Sequence, residues 1–155
     1  ERVEVDVTGS DGDDIMLGPK YGGATFHGGA GNDLLKAIAT LPSSHHRFYG
    51  GAGSDTLMGG PGADTLDGGT GDDVIHGRRG RNTIFGGHGN DLITDGDGSS
   101  RIDTGPGRNR VVLGSGDDEV FVGTGRRQVG DGLSGRRGGG AARRGGAARG
   151  GSGRA

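Results

Sequence analysis

The chain has 155 residues, 41 of them glycine, with only 28% hydrophobic and 4% aromatic residues and neither Trp nor Cys. That composition excludes a disulfide scaffold and a transmembrane helix, and with 4 Pro it also excludes collagen. The formal net charge of −2 conceals an acidic stretch over 1–130, with 19 acidic and 12 basic side chains, and a basic tail with 6 Arg and one Asp. Composition alone reads as disorder, and periodicity overturns that reading. No apolar stretch of signal-peptide type opens the chain, and the first residue is Glu1, so a mature form or a fragment is expected.

In chain order, residues 2–8 alternate as Arg-Val-Glu-Val-Asp-Val-Thr. Val3, Val5 and Val7 then share one face of a half-buried strand, and residues 1–8 are expected to cap the first layer of the fold. The blocks GSDGDDIML (9–17), GPKYGGATFH (18–27) and GGAGNDLLK (28–36) come next, the second with one extra residue. Residues 37–49 hold a degenerate block with about four residues inserted. From Gly50 the blocks run in strict nines, from GGAGSDTLM and GGPGADTLD to VGTGRRQVG at Gly130. All thirteen units carry an apolar eighth residue, from Met16, Phe26 and Leu35 to Val111, Val120 and Val129.

A unit of nine with a glycine-rich first part and a three-residue apolar-centred second part reads as a tight turn and a short strand. Such a strand buries one side chain and cannot stand alone. Stacked in parallel, however, many of them bury one continuous aliphatic column. The sixth position holds Asp14, Asp33, Asp55, Asp64, Asp73, Asp91 and Asp118. Carboxylates beside glycine carbonyls are hard oxygen ligands of the kind Ca²⁺ takes, and the few His show no repeating spacing that would suit zinc or copper.

These blocks match G-G-x-G-x-D-x-U-x, and the sequence over about 9–130 resembles the RTX, or hemolysin-type, calcium-binding repeats of bacterial secreted toxins, proteases and lipases. The resemblance implies an all-β fold, a right-handed parallel β-roll in which two units make one turn. It also implies Ca²⁺ between loops two units apart on one side, held by Asp carboxylates and loop carbonyls. The carboxylates are those of Asp14, Asp33, Asp55, Asp73, Asp91 and Asp64. The carbonyls are those of Gly29, Gly31, Gly51, Gly53, Gly69, Gly71, Gly87 and Gly89, with Asn82, Asn109 and Asp118 as weaker candidates.

Sorting sixth positions by alternate units gives Asp14, Asp33, Asp55, Asp73, Asp91, Asn109 and Arg127 on the odd edge. The even edge has Ala24, His46, Asp64, Asn82, Ser100 and Asp118. Calcium is therefore expected mainly along the odd edge, between the loops of Asp55, Asp73 and Asp91, then at the pairs Asp14/Asp33 and Asp33/Asp55. Past Asp91 the roll is expected to continue without calcium, with Asp117, Asp118 and Glu119 as a solvated turn. Arg78, Arg79 and Arg81 are either solvated or stand in for the missing cation by pairing with Asp64 or Asp97.

Residues 131–155 contain 10 Gly, 6 Arg and 5 Ala and are expected to be disordered. The tail has no aromatic side chain to stack on bases, so no specific nucleic-acid partner is expected. His45-His46 reads as part of a surface loop, and His27 and His76 as outward-facing. No His-Glu-x-x-His, Gly-x-Ser-x-Gly or Walker loop occurs, so no catalytic centre is expected. The leading reading is a calcium-dependent folding module of a secreted or cell-surface protein, with calcium ions and a larger parent chain as partners. The alternatives are a structural or adhesive spacer and the C-terminal fragment of a secreted hydrolase or toxin.

Overall fold

The structure, a computed structural model, describes residues 4–123 and the backbone of 143–144. In chain order its strands are β1 (Glu4–Thr8), β2 (Ile15–Leu17), β3 (Gly23–Ala30), β4 (Leu34–Lys36), β5 (His46–Ala52), β6 (Thr56–Met58) and β7 (Thr65–Thr70). They continue as β8 (Val74–Arg78), β9 (Thr83–His88), β10 (Leu92–Asp95), β11 (Arg101–Asp103), β12 (Arg110–Val112), β13 (Glu119–Val122) and β14 (Arg143–Arg144). No helix occurs among the described residues.

Strands alternate between two parallel sheets, which makes the fold a parallel β-solenoid. The larger sheet runs β1-β3-β5-β7-β9-β11-β13-β14 and the smaller β12-β10-β8-β6-β4-β2. Register follows the repeat: Leu57 pairs with Ile75, and Ile75 with Ile93, each one 18-residue turn on. The irregular units widen that spacing to 19 residues between Asp14 and Asp33 and to 22 between Asp33 and Asp55 without breaking the pairing. Extra residues are accommodated outside the ladder, where they cost little.

Two columns of eighth-position side chains meet between the sheets. Phe26, Phe48, Leu66, Ile84 and Ile102 come from the larger sheet, and Met16, Leu35, Leu57, Ile75, Ile93 and Val111 from the smaller. All are buried, and Phe26 and Phe48 stack with ring centroids 5.1 Å apart. Their flanking residues at the seventh and ninth positions point outward, as the two-residue strand period requires.

Three features depart from the sequence reading. Strands β3, β5, β7 and β9, which enter odd-edge loops, are longer than three residues, because Gly29, Gly51, Gly69 and Gly87 stay in the ladder. Val5 packs against the core while Val7 is exposed, although Val7 pairs with Phe26; Val3 lies outside the described residues. At the other end, Arg127, Val129 and the tail also lie outside them, apart from the backbone of Arg143–Arg144, which pairs with Phe121 and Val122.

A side chain in the column has no alternative place to pack. Leu57→Ala should cost about 2–5 kcal/mol by denaturant melting, whereas Leu17→Ala, at 57% exposure, should stay within about 0.5 kcal/mol.

Candidate metal centre

Gly53 shows why the loops are rich in glycine. Its φ is +134°, and a Cβ there would overlap the Gly31 carbonyl one turn away. Neither the conformation nor the close approach is open to another residue. With loops packed this tightly, the sixth-position carboxylates have nowhere to go but inward. Asp33, Asp55, Asp64, Asp73 and Asp91 are all buried, Asp55 with 1% of its surface exposed.

One oxygen of each has a fixed duty. Asp33 Oδ1 accepts the Asp14 N–H, Asp55 Oδ1 that of Asp33, Asp73 Oδ1 that of Asp55 and Asp91 Oδ1 that of Asp73, at 2.8–3.1 Å. Asn109 Oδ1 continues the ladder by accepting from Asp91 at 2.8 Å. The even edge has the same ladder, from His46 N–H to Asp64, Asp64 to Asn82, Asn82 to Ser100 Oγ and Ser100 to Asp118.

The second oxygen separates the candidates. Among the described residues, Oδ2 of Asp33, Asp55, Asp73 and Asp91 is buried and has no hydrogen-bond partner. Asp64 Oδ2 instead accepts the Gly60 N–H at 2.7 Å, and Asp14 Oδ2 accepts from Ser10 N–H at 2.6 Å and Ser10 Oγ at 3.0 Å. The second residue of the unit tracks this difference. Where it is a glycine at positive φ, as at Gly29, Gly51, Gly69 and Gly87, the carboxylate oxygen stays free. Where it is Ser10 or Gly60, outside that region, its N–H turns inward and caps the carboxylate of its own loop.

Each free oxygen faces a hollow left by the first glycine of its unit. The point where a Cβ of Gly86 would stand lies 2.6 Å from Asp91 Oδ2 and 2.6 Å from the Thr104 carbonyl. Gly28, Gly50 and Gly68 leave the same hollow, each bounded by its own Asp Oδ2 and by the carbonyl of the next first residue, that of Gly50, Gly68 or Gly86. A carboxylate oxygen and a carbonyl oxygen converging on one small space are hard ligands suited to Ca²⁺. No three His, Asp or Glu side chains converge among the described residues, so backbone oxygens must complete any coordination. The carbonyls of Gly29, Gly31, Gly51, Gly53, Gly69 and Gly71, singled out from sequence, lie against the matching glycine one turn on, and Gly87 and Gly89 meet Gly105 and Gly107 in the same way. The first-position carbonyls are a further set of oxygens beside the carboxylates that the repeat did not single out, because a repeated glycine does not reveal which of its neighbours it makes room for.

Burial pushes the Asp73 carboxyl up to about 7, and the charges of Asp55, Asp91 and Asp72 add to the rise. Burial likewise raises Asp55 and Asp91, and lifts Asp64 to about 6.

The even edge is occupied by other chemistry. Arg78 takes the second position at φ +65°, and Arg79 Nε lies 3.8 Å from Asp97 Oδ2 with both side chains exposed, a pairing of little energetic weight. Asp95, not singled out from sequence, is buried: Oδ1 accepts from Asn82 Nδ2 at 3.0 Å, and Oδ2 has no partner. His46 is not a surface residue. It fills a sixth position and is 1% exposed, its ring packs on Phe48, and both ring nitrogens lack partners. His45 is exposed as expected. Asp118 is also buried, at 8% exposure, because Ser100 N–H holds its Oδ1; Asp117 and Glu119 remain exposed. No helix among the described residues is long and apolar enough to cross a membrane.

Carboxyls whose pKa is raised by folding bind protons more tightly folded than unfolded. Between the ordinary 3.8 and about 7 the folded chain therefore holds the extra protons, and its stability falls as pH rises through that window. In calcium-free buffer, the far-UV circular-dichroism β-signal should be larger at pH 5 than at pH 8, levelling off above about 7. A β-signal that rises with pH would contradict the buried, unpaired carboxylates.

A family model for the RTX calcium-binding nonapeptide repeat matches residues 21–37, 49–84, 67–99, 85–120 and 94–129. No curated protein and no solved structure matches the chain at a significant level.

Proposed function

The chain belongs to the RTX calcium-binding nonapeptide repeat family and is a calcium-binding repeat module, and from that premise we propose that calcium drives its folding through the odd edge. The observation that carries this reading is the file of four buried carboxylate oxygens, on Asp33, Asp55, Asp73 and Asp91, with no partner among the described residues. A buried anion without a partner is costly, and successive like charges add to the cost. Asp33, Asp55, Asp73 and Asp91 would hold the ions, together with the carbonyls of Gly50, Gly68, Gly86 and Thr104 that bound the same hollows. Asp14 and Asp64, both capped by a backbone N–H, contribute less. When bound, calcium neutralises the carboxylates and crosslinks adjacent turns.

The core supports this dependence. Each strand contributes one inward side chain, too little apolar burial to outweigh the entropy of ordering nine residues by a wide margin. Binding free energy at the edge then becomes folding free energy. A chain of this kind stays unfolded where calcium is scarce and folds where it is plentiful, which suits a protein that is exported and works outside the cell. The family is one of structural repeats rather than enzymes, and the module's role is to fold and stiffen on arrival.

Far-UV circular dichroism during a calcium titration should show β-structure appearing with the ion and disappearing on chelation. A β-signal indifferent to chelator overturns calcium-driven folding. Asp73→Ala should weaken calcium binding by tenfold or more, about 1.4 kcal/mol, while Asn82→Ala leaves affinity within about twofold; equal losses would remove the distinction between the edges.

A further inference from the structure

The odd edge changes chemistry at its last described loop. We propose that Thr104 and Asn109 form a built-in closure in which the Asn109 amide takes the place of an ion, so that the file of calcium sites ends at Asp91. The inference rests on the calcium reading above and concerns what limits the number of ions.

In the four preceding loops the first residue is glycine and the sixth is aspartate with Oδ2 unpartnered. Here the first residue is Thr104, buried, with a Cβ where its counterparts leave a hollow. Asn109 uses both of its polar atoms. Oδ1 accepts the Asp91 N–H at 2.8 Å, and Nδ2 donates to the Thr104 carbonyl at 2.8 Å and the Gly105 carbonyl at 3.1 Å. The orientation of the amide follows from chemistry, because an N–H can only donate, so the atom facing Asp91 must be the oxygen. The NH₂ group is then aimed at backbone oxygens at the end of the loop where the preceding loops keep a bare carboxylate oxygen.

Exchanging a carboxylate oxygen for NH₂ reverses what the loop needs. An anion short of a positive partner becomes a neutral donor that finds acceptors in the backbone. The loop is satisfied without an ion, while the Thr104 carbonyl keeps a second lone pair for the hollow it shares with Asp91. On the even edge Asn82 also carries an amide at the sixth position, but its Nδ2 donates to the Asp95 carboxylate rather than to backbone carbonyls. Amide-for-carboxylate exchange at Asn109 thus ends the file of ions while preserving the Oδ1 ladder that sets the register.

The test counts bound calcium by native mass spectrometry and follows, by far-UV circular dichroism, osmolyte-induced folding of the whole chain in chelator. Asp91→Asn should bind one ion fewer than wild type and fold at a lower osmolyte concentration. The double variant Thr104→Gly/Asn109→Asp should bind one ion more and fold at a higher one. An Asp91→Asn chain with the wild-type ion count, or a double variant that folds in calcium without an added ion, overturns the closure while leaving calcium binding intact. If wild type takes up no calcium, the function proposed above and the closure that rests on it both fail. Should the double variant fail to fold, Asp91→Asn decides, since it adds no charge to the interior.

Discussion

A carboxylate held by one oxygen and left free at the other is the constraint on which this roll depends. The bonded Oδ1 of each odd-edge aspartate receives the N–H of the aspartate one turn earlier, and so fixes the distance and register between successive loops. The free Oδ2 is committed by the same geometry to a hollow closed off from water. Breaking the first bond would relieve the second oxygen, but it would also unstack the loops. Stacking order and an unmet electrostatic demand are therefore one feature, and a cation would reconcile them.

The glycine content follows from that constraint, not from looseness of the chain. First-position glycines make the hollow, and second- and fourth-position glycines supply positive φ and let one loop lie directly on the next. The interior needs only one aliphatic side chain per strand because the other faces of a three-residue strand are already outside. An interior this thin contributes modestly to stability, and the edges carry a correspondingly large share.

The sequence made the framework legible because the framework is periodic. Every described eighth-position residue lies in the core or packs against it, and the one-residue and four-residue interruptions reappear as spacings of 19 and 22 between aspartates. Less could be read wherever two identical letters have different surroundings. Asp33 and Asp64 look alike in their blocks, yet one has a free oxygen and the other does not. His46 read as a loop residue although its sixth-position register was legible, because the repeat gives a histidine there no partner and only the fold packs its ring on Phe48. Asp95 escaped notice because it occupies a glycine position, where a carboxylate has no place in the repeat. Val7 aligns with Phe26 but lies at the end of the sheet, where the next layer that would cover it is missing from the described turns.

Which carboxylates stay free is decided by the second residue of their own unit. At Gly29, Gly51, Gly69 and Gly87 the second position lies at positive φ and extends the parallel ladder, so its N–H does not reach the carboxylate of its own loop. At Gly60 the residue is again glycine but not at positive φ, and its N–H bonds Asp64; Ser10 does the same for Asp14 on the other edge. Edge membership is therefore not the cause, since Asp14 is capped on the edge where its neighbours are free. The cause is whether the second residue's N–H is spent on the sheet or on its own loop. A backbone donor at 2.6–2.7 Å does for Asp14 and Asp64 part of what a cation would do for Asp55 and Asp73. Whether a repeat keeps a free carboxylate oxygen is thus written less in its aspartate than in the conformation of the residue four positions before it.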